Sequence, residues 1–352
     1  MRYSVIVPVY NRPDEVRELL ESLCAQPRKD VEVLIVEDGS AVPCEEVVRT
    51  FEDRLTVRYY SKPNSGPGQT RNYGAKRAEG KWLIILDSDV IVPEGYFDAI
   101  DAELAREDSD AFGGPDRAHK DFTPVQKAIN YAMTSFFTTG GIRGGKKKLD
   151  KFYPRSFNMG IRREVFDALG GFSKMRFGED IDLSIRIFKG GYRCRLFPEA
   201  WVWHKRRTDL NKFFKQVHNS GIARINLYKK YPDSLKLVHM LPAAFTLGTL
   251  LCLLLILTGV VYAILNQSGI IQIDFPGGPV CVTLGLLPLL LYSLLIFMDS
   301  SVKNKSLKVG GLSVPAAFVQ LIGYGTGFLR AWWERCVLGR GEFEAFKKNF
   351  YK

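Results

Sequence analysis

Two carboxylates separated by one residue, Asp87-Ser88-Asp89, follow the hydrophobic run Trp82–Leu86. Acids so spaced at the end of a strand can hold Mg²⁺ or Mn²⁺, which favour oxygen ligands and are commonly bound by one or two carboxylates plus a substrate diphosphate. A solvated turn is the plainer reading of such a pair. A second acidic pair, Glu37-Asp38, precedes Gly39-Ser40 at the end of the apolar run Val31–Val36. A carboxylate there could accept the imide N–H of a uracil or the N–H groups of a guanine; a turn acid is the alternative. Gly178-Glu179-Asp180 opens a helical pattern, with Asp182 two residues later. An acid at a helix start can be a cap, or an ionised base facing a substrate. His204 ends the strand-like Ala200–His204, and imidazole is a good ligand for divalent metals as well as a common structural group.

The elements that must carry these groups alternate. Tyr3–Val9, Val31–Asp38, Thr56–Lys62 and Lys81–Asp87 read as strands, with helices over Pro13–Leu23 and after Asn64. Such alternation predicts an α/β fold with a doubly wound, mostly parallel sheet whose ligands lie at the carboxyl ends of its strands. Both acidic pairs fall at such ends. Residues 131–156, with Gly140, Gly141, Gly144, Gly145 and Lys146–Lys148, show no clear periodicity and predict a mobile basic loop. Helices near Arg162–Ala168 and Asp180–Lys189 and a short strand at Tyr192–Phe197 follow. Leu210–Tyr231 predicts an amphipathic basic helix.

Hydrophobicity then rises sharply. Residues 237–265 and 279–298 carry no Asp, Glu, Lys or Arg, and each is long enough to span a bilayer. Two buried core helices would need a soluble shell that the rest of the tail is too short to supply. A third apolar stretch, 312–329, is interrupted by Pro315, Gly323, Gly325 and Gly327, and is read as re-entrant or interfacial, with spanning as the alternative. The expected organisation is a catalytic domain over 1–209, an interfacial helix over 210–236, a transmembrane hairpin over 237–298, and a basic loop, third apolar segment and basic tail over 299–352.

The net charge of +11 is unevenly placed: residues 1–130 hold 17 Lys and Arg against 24 Asp and Glu, and residues 131–236 hold 23 against 9. The basic block just before the first span suits anionic headgroups; no groove-reading motif accompanies it, so nucleic acid is not an expected partner. Lys and Arg are missing between 266 and 278 but present at Lys303, Lys305 and Lys308, which predicts a multi-pass inner-membrane protein with its catalytic domain in the cytoplasm. Six cysteines without metal spacing suit reduced thiols, and no signal peptide is expected ahead of the first strand.

Together the ordered series Val7-Pro8-Val9-Tyr10-Asn11-Arg12, Val36–Ser40, Asn64–Gly68 with Arg71-Asn72 and Gly74, Leu86–Asp89, Asn158-Met159-Gly160, Gly170-Gly171-Phe172, Gly178–Asp180 and His204 resembles glycosyltransferase family two, with the GT-A fold, over about residues 1–230. The resemblance implies an inverting, nucleotide-sugar-dependent transferase using UDP- or GDP-sugar. It implies that Pro8, Tyr10, Asn11 and Asp38 line the nucleoside pocket and that Arg71 contacts the donor. Glu37, Asn64, Gly68, Ser88, Asn158 and Glu179 would complete the donor site. Asp87, Asp89 and His204 would serve a divalent cation, and Asp180 would be the base. Glu37 stands where an Asp is frequent in the family. The Q-x-x-R-W series of processive synthases is replaced by Gln216-Val217-His218-Asn219-Ser220, which disfavours polymer extrusion. A hydroxyl on a lipid or lipid-linked glycan is the expected acceptor, with a polyprenyl phosphate second. A silent binding module, or a nucleotidyltransferase lacking its basic Gly-rich loop, are the rivals from other classes.

Overall fold

The protein is described from a computed structural model, over residues 1–28, 30–117, 122–140, 152–175, 177–270 and 277–341. It divides into two compact units, one of residues 1–120 with 147–205, the other of 121–146 with 206–352.

Among its described residues the first unit carries ten strands: β1 (Tyr3–Val9), β2 (Val31–Asp38), β3 (Val57–Lys62), β4 (Trp82–Leu86), β5 (Val90–Ile91), β6 (Ala111–Gly113), β7 (Asp116–Arg117), β8 (Asn158–Arg162), β9 (Cys194–Leu196) and β10 (Val202–His204). Seven form one sheet in the order β3-β2-β1-β4-β8-β6-β9. The first four are parallel, as their near-continuous apolar sequences require for strands covered on both faces. Val5, Val7, Val33 and Ile35 pack on the Pro13–Cys24 helix side, and Ile6, Leu34, Leu83 and Ile85 on the opposite core. The expected doubly wound, mostly parallel sheet is therefore present. β8 then enters antiparallel between β4 and β6. Sequence reasoning had no strand at Asn158–Arg162, nor at β5, β6 and β7, because two- to five-residue strands have no periodicity to read.

A second sheet of three short strands, β5-β10-β7, stands at the carboxyl end of β4. It pairs His204 with Val90 and Val202 with Asp116, so three segments far apart in sequence converge just beyond Asp89.

The second unit is helical. Leu241–Gln267 and Gly277–Asn304 form an antiparallel pair, in contact where Gly259 meets the Gly278 carbonyl and Gly285 meets the Cys252 carbonyl. Pro315, Gly323, Gly325 and Gly327 do not interrupt the third apolar segment, which is one helix over Leu307–Trp332. Its glycines let neighbouring backbones approach: the Leu210–Lys230 helix packs against it with Gly221 so close to the Tyr324 carbonyl that a Cβ would sit 2.1 Å from that oxygen. Three helices, Leu241–Gln267, Gly277–Asn304 and Leu307–Val337, are long and apolar enough to cross a membrane by length and composition. The stretch read as a basic loop is partly helical, Pro124–Thr134 and Phe136–Thr139, begun by a capping box at Thr123 and a Ser135 cap. Most of its remainder, 141–151, lies outside the described residues.

Candidate active site

The short sheet is what brings together a group that could hold a metal ion. β4 stops at Leu86, and Asp87 and Asp89 follow in a turn. The Lys205 N–H donates to the Asp89 carbonyl (3.1 Å), which locks β10 against this turn. The His204 ring thereby lies beside the acid, Nε2 3.3 Å from Asp89 Oδ1, and stacks on Phe157 at 4.9 Å between centroids. Ligand atoms of Asp87, Asp89 and His204 all lie within 4.8 Å of one another. Two carboxylates and an imidazole in that compass fit a divalent cation such as Mn²⁺ or Mg²⁺.

Asp87, Asp89, Glu179 and Asp180 are each paired with an arginine. Arg12 Nη1 donates to Asp89 Oδ2 (2.5 Å). The buried Arg71 bridges two acids, Nη2 to Asp87 Oδ1 and Nη1 to Glu179 Oε1, both at 2.8 Å, with its guanidinium over the Phe172 ring. Arg155 Nε donates to Asp180 Oδ2 (2.7 Å). Burial opposes the Arg71 charge, but Asp87 and Glu179 more than offset it and hold the guanidinium firmly protonated.

Gly178, in the left-handed region at φ 83°, turns the chain into the Glu179–Lys189 helix and sets both acids on its first turn. Their environments diverge. Burial, reinforced by the neighbouring Asp180 charge, pushes Glu179 up to about 7. Burial pushes Asp180 the same way, yet the Arg155 guanidinium and the Ile181 N–H hold it below the usual carboxylate range, so it is ionised at neutral pH. Gly68 packs directly over this turn; a Cβ there would lie 3.2 Å from Glu179 Cγ. Asp182, by contrast, is buried and bound to Arg186, which also donates to the Leu169 and Gly171 carbonyls and so secures the Gly170-Gly171-Phe172 loop. Asn72 completes that clamp with bonds to both the N–H and the carbonyl of Phe172 (2.8 Å each).

The residues expected at the nucleoside end hold one another. Glu37 accepts from the Cys44 N–H (2.9 Å), the Tyr59 hydroxyl (3.2 Å) and Ser40. Asp38 accepts from the Ser65 and Gly66 N–H groups, both at 2.9 Å, and from Lys62. Asn64 donates to the Asp38 carbonyl (2.7 Å). Asn11, at φ 53°, accepts from the Ala41 and Val42 N–H groups and ties the end of β1 to the loop after β2. Pro8 and Tyr10 are half-buried at the end of β1, and Ser88 is buried between Asp87 and Asp89 in sequence. Asn158 is fully buried, its amide donating to the Ala200 carbonyl (2.7 Å) and accepting from Tyr96 (2.6 Å), so it joins β8 to the segment before β10. Arg12 and Arg155, which the sequence analysis did not single out, are paired with the candidate-site acids Asp89 and Asp180. Arg12 lay inside a quoted series; Arg155 gave no signal.

Comparison with known proteins agrees with this architecture. Residues 4–170 match the model of glycosyl transferase family 2. An "uncharacterized glycosyltransferase" of Rickettsia felis is 34% identical over 137 residues, 39% of this chain and 22% of that protein. The succinoglycan biosynthesis protein ExoO of Rhizobium meliloti is 26% identical over 232 residues, 61% of this chain and 64% of its own length. The chain thus spans less than a quarter of the Rickettsia relative. Among solved structures, the mannosyltransferase PcManGT of Pyrobaculum calidifontis, in complex with GDP-Man and Mn²⁺, superposes with a TM-score of 0.60 at 15% identity, covering 95% of this chain and 88% of that one. Residues 4–170 thus match glycosyl transferase family 2, and the amino-terminal unit has the GT-A fold.

Proposed function

We propose that the chain is a membrane-anchored inverting glycosyltransferase that moves a sugar from a nucleotide sugar to a hydroxyl of a lipid or lipid-linked glycan, in the synthesis of a cell-envelope polysaccharide. The observation that carries this reading is Arg71, which joins the Asp87-Asp89-His204 group to the Glu179–Asp180 helix start within one unit. The likeness to ExoO, a succinoglycan biosynthesis protein, supports the polysaccharide context.

In this reading the UDP- or GDP-sugar lies along the carboxyl ends of β1, β2 and β4, its base beside Pro8, Tyr10, Asn11 and Asp38. Asp87, Asp89 and His204 hold a divalent cation, which when bound offsets the charge building on the departing diphosphate. Arg12 and Arg71 supply further positive charge on the same side. Asp180, held ionised by Arg155, accepts the acceptor's hydroxyl proton as the oxygen attacks the anomeric carbon opposite the leaving group, and configuration inverts. A second reading rests on the same ion pair. A carboxylate held below its ordinary pKa is a weaker base, which suits an acceptor that is already ionised, such as a polyprenyl phosphate. Incubating the purified chain in nanodiscs with membrane lipids and a nucleotide-sugar panel, followed by mass spectrometry of the lipid extract, tests both. No glycosylated lipid with any donor would sink the enzyme reading.

For the anchor, the proposed topology places the Leu241–Gln267 and Gly277–Asn304 helices across the inner membrane, with both outer ends in the cytoplasm. The Leu307–Trp332 helix then lies across the mouth of that hairpin. Its early residues meet the end of the second helix, Gly310 at Phe297 and Ser301 and Ser313 at Ser300. Its later residues meet the start of the first, Gly325 at Pro242 and Thr246. In the proposed topology both contacts fall on one side of the bilayer, which supports an interfacial helix. A membrane-impermeant thiol reagent applied to intact cells is expected to label a cysteine at Ser268 but not at Asn304 or Gly341, in a chain stripped of its own cysteines. Labelling at Gly341 would show that the third helix spans.

A further inference from the structure

His204 brings Nε2 towards Asp89, and what its other nitrogen does decides how firmly the ring is held. Nδ1 is buried and lacks a hydrogen-bond partner among the described residues, with Asp116 Oδ2 3.8 Å away. A buried ring nitrogen without a partner costs free energy, and imidazoles that bind metals almost always pass their second N–H to a carboxylate, carbonyl or water. The fold delivers Asp116 for this purpose by a route of its own. β7 is two residues long, and its parallel register on β10 sets Asp116 against Val202 and Arg117 against Trp203, one residue short of His204. Phe157 covers one ring face at 4.9 Å, which restricts the imidazole to turning in its own plane. A movement of ~0.8 Å closes the gap to ordinary hydrogen-bond length.

We infer that Asp116 is the positioning residue of the candidate metal site: it accepts the Nδ1 proton of His204, and so fixes the tautomer that leaves Nε2 as the ligand atom. This inference rests on the metal-binding reading of Asp87, Asp89 and His204. Asp116 also faces the Arg155 charge, so one carboxylate stands between the metal-ligating histidine and the arginine that holds Asp180. The group is chemically matched to its task. A carboxylate accepting from Nδ1 orients the ring, and its negative charge adds to the field that retains the cation.

The test uses the full chain in detergent, with Mn²⁺ as the probe. Mn²⁺ binding is measured by calorimetry and electron paramagnetic resonance in the parent, Asp116→Ala, Asp116→Asn and Asp89→Ala. Asp116→Ala is expected to weaken Mn²⁺ binding by ~10–100-fold, the usual cost of losing an outer carboxylate. Asp116→Asn, which keeps an acceptor oxygen but no charge, is expected to fall between it and the parent. Nitrogen-15 spectra of the chain's four histidines give a readout that a merely structural role would not move: the parent should show His204 protonated at Nδ1, and Asp116→Ala should lose that preference. Unchanged Mn²⁺ affinity in a folded Asp116→Ala chain, or an unchanged tautomer, overturns the inference. If the parent binds Mn²⁺ no better than Asp89→Ala, the metal reading itself fails and takes this inference with it.

Discussion

The two acidic strand ends of the first unit differ in what holds them. At the end of β2, Glu37 and Asp38 receive backbone N–H groups, hydroxyls, a thiol and one lysine, from β3 and from the loops after β2 and β3 that these bonds shape. Beyond β4 and at the start of the Glu179–Lys189 helix, Asp87, Asp89, Glu179 and Asp180 receive guanidinium groups on long side chains. Backbone donors cannot leave without unfolding their loop. An arginine can swing aside, or lend its charge to a phosphate. The first cluster is therefore read as scaffold that also borders a base, and the second as the working set. Acids alike in sequence separate by the mobility of their partners.

The sharpest way to break that contrast is Asp180→Asn. It keeps size and, as a cap, nearly the same helix start, but removes the proton-accepting charge. Transfer to a hydroxyl acceptor is expected to fall by ~10²–10⁴-fold with donor affinity kept. Near-normal turnover would reject the base and favour the phosphate acceptor. Next in size, Asp89→Ala should reduce Mn²⁺-dependent binding of a nucleoside diphosphate by at least the ~10–100-fold that an outer partner alone is worth, as read by calorimetry. Equal affinity with and without Mn²⁺ would remove the second cluster from metal chemistry.

Asp38→Ala probes the scaffold. Lys62 is 10% exposed beside it, and breaking a buried pair this way costs about 3–5 kcal/mol. Thermal unfolding should show the loss while the remaining folded protein keeps its Mn²⁺ site; an unaltered melting temperature would dissolve the contrast. The smallest effect concerns pH. Glu179 has a folded pKa raised to about 7, so its contribution to stability is full below the ordinary glutamate range and is lost as pH rises through about 7. Glu179→Gln should flatten that part of the stability profile between pH 5 and 8, by a few degrees in Tm, as for ~1 kcal/mol in a domain of this size. An identical slope in both chains would place the titration elsewhere.

Much of this was legible in the chain. Val5, Val7, Val33 and Ile35 in continuous apolar runs announce buried parallel strands, and acids placed where those runs stop announce a ligand edge, because short-range periodicity carries that information. The apolar helices needed only composition. Other features had no local signal. Asn158 bonds to Tyr96 and to the Ala200 carbonyl, which sequence does not place beside it. Glycines at 323, 325 and 327 look like breaks in isolation; in the folded unit they are where the Leu210–Lys230 helix and the first apolar helix come close.

By itself, then, the sequence determined the order of strands and helices, the acids at their ends and the long apolar segments, since each is written in neighbouring residues. Only the tertiary structure decided which acids share an arginine and which are locked to backbone. It also decided that a three-stranded sheet drawn from residues 90–91, 116–117 and 202–204 carries His204 to Asp89 and Asp116 to within 3.8 Å of His204. Strands of two and three residues cannot form alone; their pairing exists only once the larger sheet has brought their ends together.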